Sequence, residues 1–181
     1  MEIVEAKLSD LENFFKYLAE QLLDNGAGDS PLFQPIPKDH SEIPEQVRVK
    51  FRDGFKFGVG NSGWRKLWLA KDLAGNICGH TDLRHYSSEY SFHRVLLGMG
   101  VERSARRQGL GVKLVESAIA YCRETYGIDH LDLNVLSSNI PAKNLYLKCG
   151  FKISGEMHDF YRIDGNSVSE ITMTLRVKFA Q

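Results

Sequence analysis

The sequence predicts an α+β fold, and three observations carry that prediction. Apolar runs of strand length alternate with stretches at helical spacing along all 181 residues. A strand-like run, Val95 to Val101, passes through a basic, glycine-containing loop into a helical pattern that begins at Gly109. Asp164-Gly165-Asn166 then separates two further strand-like runs, a strong hairpin signal. No repeat, low-complexity tract or linker interrupts the chain, so residues 1–181 read as one domain.

Each element follows from local pattern. Glu2 to Lys7 reads as a first strand. Ser9 is a plausible cap for a helix carrying Leu11, Phe14, Phe15, Leu18, Leu22 and Leu23 at helical spacing. Asn25 to Pro37 is rich in Gly and Pro and reads as a loop. A second helix is predicted from Ile43 to about Gly54, capped by Ser41. Trp64 to Lys71 and Asn76 to His85 read as strands joined by a turn around Ala74-Gly75-Asn76. The run Phe92 to Val101 leads to a helix over Gly109 to Tyr126, with Leu110, Leu114, Val115, Ala118, Ile119 and Cys122 on one face. A strand at Leu131 to Leu136 precedes a helix from about Pro141 to Cys149. Pro141 suits an early helical position and Gly150 a C-terminal stop. Phe151 to Val177 completes the chain as two strands.

Composition narrows the function. Hydrophobic residues at 43% and charged residues at 25% are ordinary for a soluble globular chain of this length, which is enough for a real core. The 23 basic and 23 acidic residues balance, which argues against nucleic acid or an anionic membrane as the main partner. No apolar run approaches the roughly 18 residues a membrane span needs. Glu2 stands where a signal peptide would carry a base, so a cytoplasmic location is expected. Cys78, Cys122 and Cys149 lack metal-ligand spacing and read as reduced thiols; no metal is expected. Cys149 reads as a packing residue, because no organised histidine stands ready to activate it.

Two segments carry the chemistry. In Arg106-Arg107-Gln108-Gly109-Leu110-Gly111, two glycines at a helix mouth let several N–H groups converge, and the helix dipole adds positive potential. Read alone, this is either an anion site or a turn that needs glycine. About thirty residues on, Asn139, Ala142, Leu145, Tyr146, Gly150 and Phe151 punctuate the run NIPAKNLYLKCGF. The first segment fits the pattern Q/R-x-x-G-x-G/A and the second fits N-x-x-A-x-x-L-Y-x-x-x-G-F. Together, in this order, they resemble the GNAT superfamily of N-acetyltransferases, most closely over Leu96 to Leu175.

That resemblance implies a mixed, mostly antiparallel sheet flanked by helices, and acetyl-coenzyme A as co-substrate. It assigns the pyrophosphate grip to Arg106, Arg107, Gln108, Gly109, Leu110 and Gly111. It lays the pantetheine arm against Met99, Gly100 and Val101, where Gly98 and Gly100 mark either a bulge or a close backbone approach. Asn139 would help hold the cofactor. Tyr146 would be the general acid, since a phenol near pKa about 10 can donate to a thiolate whose acid titrates near about 8.5.

The base is less clear from sequence. Related enzymes acting on ribosomal proteins often carry a glutamate where this chain has Asn134. His93 is the best alternative on pKa grounds, ahead of His85, Glu89 or a water chain. Phe33 and Tyr161 fall where the family builds its acceptor pocket. Arg84 is either an exposed strand arginine or a partner for a substrate carboxylate. The expected acceptor is an amine of a small molecule, amino acid or peptide. A protein N-terminus or lysine, or a sensor domain without turnover, are the alternatives. A homodimer through exposed edge strands is also allowed.

Overall fold

The computed structural model describes residues 1–38 and 40–178. The strands are β1 (Glu2–Glu5), β2 (Arg65–Lys71), β3 (Ile77–His85), β4 (Arg94–Val101), β5 (His130–Leu136), β6 (Lys152–Ile163) and β7 (Asn166–Arg176). They form one sheet in the order β1-β2-β3-β4-β5-β7-β6. Among the described residues only β4 and β5 run parallel; the other neighbouring pairs are antiparallel. Helices α1 (Leu11–Leu23), α2 (Glu45–Gly54), α3 (Leu110–Glu124) and α4 (Ile140–Lys148) flank it. The expected mixed, mostly antiparallel sheet is what the chain forms.

Strand alternation sorts the side chains between two faces. On β2, Leu67 and Leu69 turn to one face and meet Phe14 and Phe15 of α1 and Phe51 of α2. Trp68 turns to the other and joins Val115, Ala118 and Ile119 of α3 with Leu131 and Leu133 of β5 and Met173 of β7. Phe14, Phe15, Leu69, Val115, Leu131 and Met173 are fully buried. Each such side chain contributes roughly 1.5–3 kcal/mol through removal of apolar surface from water.

Several boundaries differ from the sequence reading, each for a local reason. β1 ends at Glu5, because a short 3-10 turn, Leu8–Asp10, precedes α1. The Asp10 carboxylate accepts from the Lys7 amide at 2.8 Å, so Asp10 rather than Ser9 organises that end. α2 starts at Glu45, not Ile43, since a residue before proline is driven out of the helical region and Pro44 follows Ile43. Ser41 therefore caps nothing. α3 stops at Glu124, two residues short of Tyr126, and the Thr125 hydroxyl donates to the Tyr121 carbonyl at 2.7 Å.

The parallel pair sets up the site. β4 and β5 share only three rungs: Arg94 with His130, Val95 with Leu131, and Leu96 with Asp132. Beyond Leu96 both strands continue, β4 still paired to β3 and β5 to β7. The sheet therefore opens as a V. Across these rungs Arg94, on the first, grips Asp132, on the last, with both nitrogens, Nε to Oδ2 at 2.7 Å and Nη2 to Oδ1 at 2.6 Å. Arg94 also donates to Thr174 Oγ1 at 3.0 Å, and the Tyr86 hydroxyl donates to Asp132 at 3.1 Å. Such bidentate pairs fix geometry as well as adding attraction, so this one bolts the vertex shut.

Candidate active site

One arm of the V is the free edge of β4. Its register with β3 is unbroken from His85–Val95 to Gly79–Val101, so Gly98 and Gly100 mark no bulge on that side. They are glycines because neighbours on β3 reach over them. A Cβ on Gly98 would stand 2.3 Å from Asp82 Oδ1, and one on Gly100 would stand 2.7 Å from His80 Cε1. The Thr81 hydroxyl donates to the Gly98 carbonyl at 3.1 Å. Met99 and Val101 turn to the α3 face, where they pack against the core.

The open end of the V leads to the basic loop. Arg107 has φ of 61° and Gly109 φ of 78°, two left-handed residues that coil the chain before Leu110 starts α3. No heavy atom lies within 4 Å of a Cβ built on Gly109, so its glycine serves backbone conformation and leaves open space at the mouth of the helix. Gly111 differs: its Cβ would stand 2.6 Å from Leu145 Cδ1 of α4. Its missing side chain sets the approach of α3 to α4, which leaves its backbone amide at the helix mouth. Gln108 donates to the Ser104 carbonyl at 2.9 Å and holds the loop closed, while Leu110 is buried.

Arg106 also departs from expectation. Its guanidinium donates to the Val101 carbonyl at 3.0 Å, to Ser30 Oγ at 3.1 Å and to Asp24 at 3.4 Å. Arg103 pairs with Asp29 and Asp24 beside it. These side chains staple the loop after α1 to the basic loop. Arg107 is exposed and projects without a salt bridge among the described residues. The same α1–α2 loop is organised by Asn25, fully buried, whose Oδ1 accepts from Phe33 N at 2.8 Å and Gln34 N at 2.9 Å. Phe33 is half-buried in it. The Lys38 amide donates to Asp164 at 3.2 Å, which joins this loop to the β6–β7 turn. In that hairpin the Tyr161 hydroxyl donates to Glu170 at 2.8 Å.

On the other arm, β5 leads through Asn139 to α4. Asn139 Oδ1 accepts from Ala142 N at 3.3 Å, so it caps the helix. Tyr146 is 7% exposed, with its ring 5.8 Å from Phe151. Burial raises its phenol above the ordinary value, so it stays protonated. Among the described residues the buried side-chain nitrogens and oxygens without a partner are His85 Nδ1 and His130 Nδ1.

The face of the V towards α1 is polar, and the register shows how it is built. Arg65, Arg84, Leu96, Asp132 and Thr174 form one row across the sheet, and Leu67, Asp82 and Gly98 the next. Asn134 and Thr172 continue that second row beyond the gap, with the Thr172 hydroxyl donating to Asn134 at 3.1 Å. Asp82 is buried and accepts from Arg65 at 2.9 Å and Arg84 at 3.3 Å. These two guanidiniums hold its carboxyl below the usual range against the opposing cost of burial. His80, beneath Gly100 with Nδ1 3.4 Å from the Tyr17 hydroxyl, is pushed down to about 4 by burial and is neutral near pH 7.

His93 is not brought to this place. It is exposed at the closed end of the V, its carbonyl accepting from Asp129 and His130 amides at 2.8 and 3.1 Å. Six residues of strand, about 20 Å, separate it from Met99. His85 lies on the α3 face between Trp64 and Phe92, at 4.9 and 4.5 Å between ring centres, and Glu89 is exposed in a short turn. The sequence reading missed Arg65, His80, Asp82, Arg94 and Asp132. A signal for two of them was present: His80 and Asp82 alternate with Arg84 along β3.

A strand edge that ends in a ring of helix-mouth amides suits a ligand carrying amides along an arm and a pyrophosphate at its end. The sequence model of the acetyltransferase (GNAT) family matches residues 34–151, and the chain belongs to that family. It is an N-acetyltransferase that uses acetyl-coenzyme A. Among its relatives, the catalytic subunit NAA10 of the N-terminal acetyltransferase A complex of Arabidopsis thaliana is 29% identical over 138 residues, 75% of this chain and 69% of that protein. The L-amino acid N-acetyltransferase AaaT of Escherichia coli K12 is 26% identical over 144 residues, 80% of each chain. In fold, the chain is similar to the yncA acetyltransferase of Salmonella typhimurium, solved with its cofactor acetyl-CoA. The TM-score is 0.80 at 17% identity, covering 100% of this chain and 96% of that one. No group of three His, Cys, Asp or Glu among the described residues is placed to hold a metal ion.

Proposed function

We propose that the acceptor is the primary amine of a small molecule, an amino acid or a peptide, and that transfer occurs by direct attack with both substrates bound. The observation that carries this reading is the V itself. It offers a free strand edge, an amide-lined loop at one end and a buried phenol on the opposite arm.

In this reading the amides at Gln108, Gly109, Leu110 and Gly111 grip the pyrophosphate, and Arg107 adds charge. The edge at Met99, Gly100 and Val101 pairs with the pantetheine amides, and Asn139 steadies the arm. Bound acetyl-coenzyme A supplies an activated acetyl thioester. The amine nitrogen attacks its carbonyl carbon; a C–N bond forms, the C–S bond breaks, and the Tyr146 hydroxyl gives its proton to the departing sulfur. The surplus proton of the amine leaves to water, and water returns a proton to the Tyr146 phenolate, which restores the hydroxyl for the next turnover. Asn134 cannot take the amine proton, and Asp82 and Asp132 are both committed to arginines. Positioning of the two reactants then supplies much of the acceleration.

Phe33 and Tyr161 line the acceptor side. A protein acceptor needs a groove open at both ends, whereas the Lys38–Asp164 contact ties the loop after α1, which carries Phe33, to the β6–β7 turn beside Tyr161, which favours a small acceptor. Thiol release from acetyl-coenzyme A against a panel of amino acids, polyamines and short peptides tests the reading. Tyr146→Phe should lower turnover by about a hundredfold and leave acetyl-coenzyme A affinity unchanged. Equal turnover in the two proteins would remove Tyr146 from the mechanism.

A further inference from the structure

Around its vertex the polar face of the V carries more positive than negative charge, and the location is specific. Three guanidiniums, Arg65, Arg84 and Arg94, face two carboxylates, Asp82 and Asp132. Arg94 is consumed by the bidentate grip on Asp132. Arg65 is consumed too: it is 13% exposed, donates to Asp82 at 2.9 Å and lies 4.1 Å over the centre of the Phe51 ring. The other groups around the vertex add no compensating anion; Glu170, the next carboxylate on this face, lies two rows away across the gap and accepts from the Tyr161 hydroxyl at 2.8 Å. His80 is neutral, Tyr86 keeps its proton with its pKa pushed up to about 12 by burial and by Asp132, and Leu96 and Thr174 are uncharged. Arg84 therefore holds the surplus positive charge. Its side chain is 35% exposed, and it meets Asp82 through Nη1 alone.

Arg84 also stands where the reaction happens. Its Nη1 is 3.2 Å from the position a Cβ on Gly98 would take, so the guanidinium lies over β4 one row from the vertex. A ligand arm paired with the free edge of β4 runs about 4.8 Å to the side. An anion held by Arg84 is thus within one or two carbons of a nucleophile aimed at that arm.

We propose that Arg84 is the carboxylate anchor of the acceptor pocket, and that the acceptor is an amino acid whose amine stands one or two carbons from its carboxylate. The proposal rests on the reading of the V as the acetyl-transfer site and names its substrate class. It also fits a transfer in which the surplus amine proton leaves to water. In a free amino acid the neighbouring carboxylate stabilises the ammonium. When a guanidinium pairs with that carboxylate, the amine loses this support and the nearby positive charge further disfavours its protonated form. Its pKa then falls towards that of a peptide α-amine, about 7.7–8.0, and a useful fraction is neutral near pH 7.5 without a catalytic base.

The experiment compares three forms of each acceptor with the wild-type protein: the amino acid, its carboxamide, and the amine lacking the carboxyl group. The free acid should have the highest kcat/KM, by at least about thirtyfold, because a site built for a polar group is left unpaired by analogues lacking it. In Arg84→Gln that preference should vanish, through loss on the acid with little change on the carboxamide. The pH profile of kcat/KM for the acid should move to higher pH, and Arg84→Lys should restore part of both effects. Acetyl-coenzyme A affinity should stay unchanged in both variants. Equal use of acid, carboxamide and amine by the wild type overturns the carboxylate anchor alone and leaves acetyl transfer standing. No turnover with any amine overturns the transfer reading and the anchor with it.

Discussion

Gly98 gives the sharpest test of how the cleft is built. In Gly98→Ala the new Cβ would stand 2.3 Å from Asp82 Oδ1, so the carboxylate must retreat by at least about 1 Å to reach ordinary separation. It has two ways to do so. Staying against the arginines overpacks the site, at about 1–3 kcal/mol. Swinging away leaves Arg65 and Arg84 short of their counter-ion, and breaking a buried pair costs about 3–5 kcal/mol. The cheaper route sets the cost, near 2–3 kcal/mol. Urea denaturation followed by circular dichroism reads this directly: with a slope of about 2 kcal/mol/M, the midpoint should fall by about 1–1.5 M. An unchanged midpoint together with a tenfold or greater loss of acetyl-coenzyme A affinity would refute the reasoning. Glycine would then be present for the passage of the ligand and not for Asp82.

Two further outcomes follow from neighbouring contacts. His80 binds its proton with a pKa of about 4 in the fold and about 6.5 when unfolded, so the unfolded chain binds more protons between these values. Stability is fully present above pH 6.5 and falls as the pH drops towards 4, by up to about 3 kcal/mol; His80→Gln should flatten that part of the urea-midpoint profile. Arg106→Gln should loosen the loop after α1 and raise KM for the acceptor severalfold, with acetyl-coenzyme A affinity nearly constant. A salt-sensitive loss of cofactor affinity instead would return Arg106 to the pyrophosphate.

Order and type of the strands and α-helices were legible in the sequence, because hydrophobic period and turn chemistry are local, whereas the short 3-10 turns such as Leu8–Asp10 were not. Ser9 and Ser41 were misread as caps for the same reason: a cap depends on which oxygen reaches the free amides, and Asp10 and Pro44 decided those ends. The two motifs located the loop and Tyr146 correctly in chain order, since each is a contiguous run. Side-chain purpose was less legible. Arg106 was read as a phosphate ligand, whereas its partners, Asp24 and Ser30, lie more than seventy residues away in the chain. Gly98, Gly100 and Gly111 were recognised as special, but the reason lay in Asp82, His80 and Leu145 across the fold. His93 had a suitable pKa and no way to show, from sequence, that β4 carries it to the closed end of the V.

The grip proposed for the cofactor falls on its pyrophosphate and amides, which are the same before and after the acetyl group has gone. Affinity built in this way scarcely distinguishes the donor from the spent thiol that remains. Free coenzyme A should therefore compete with acetyl-coenzyme A at comparable concentration. The rate inside a cell then follows the ratio of the two rather than the level of either, and acetylation slows whenever the acetylated pool is drawn down.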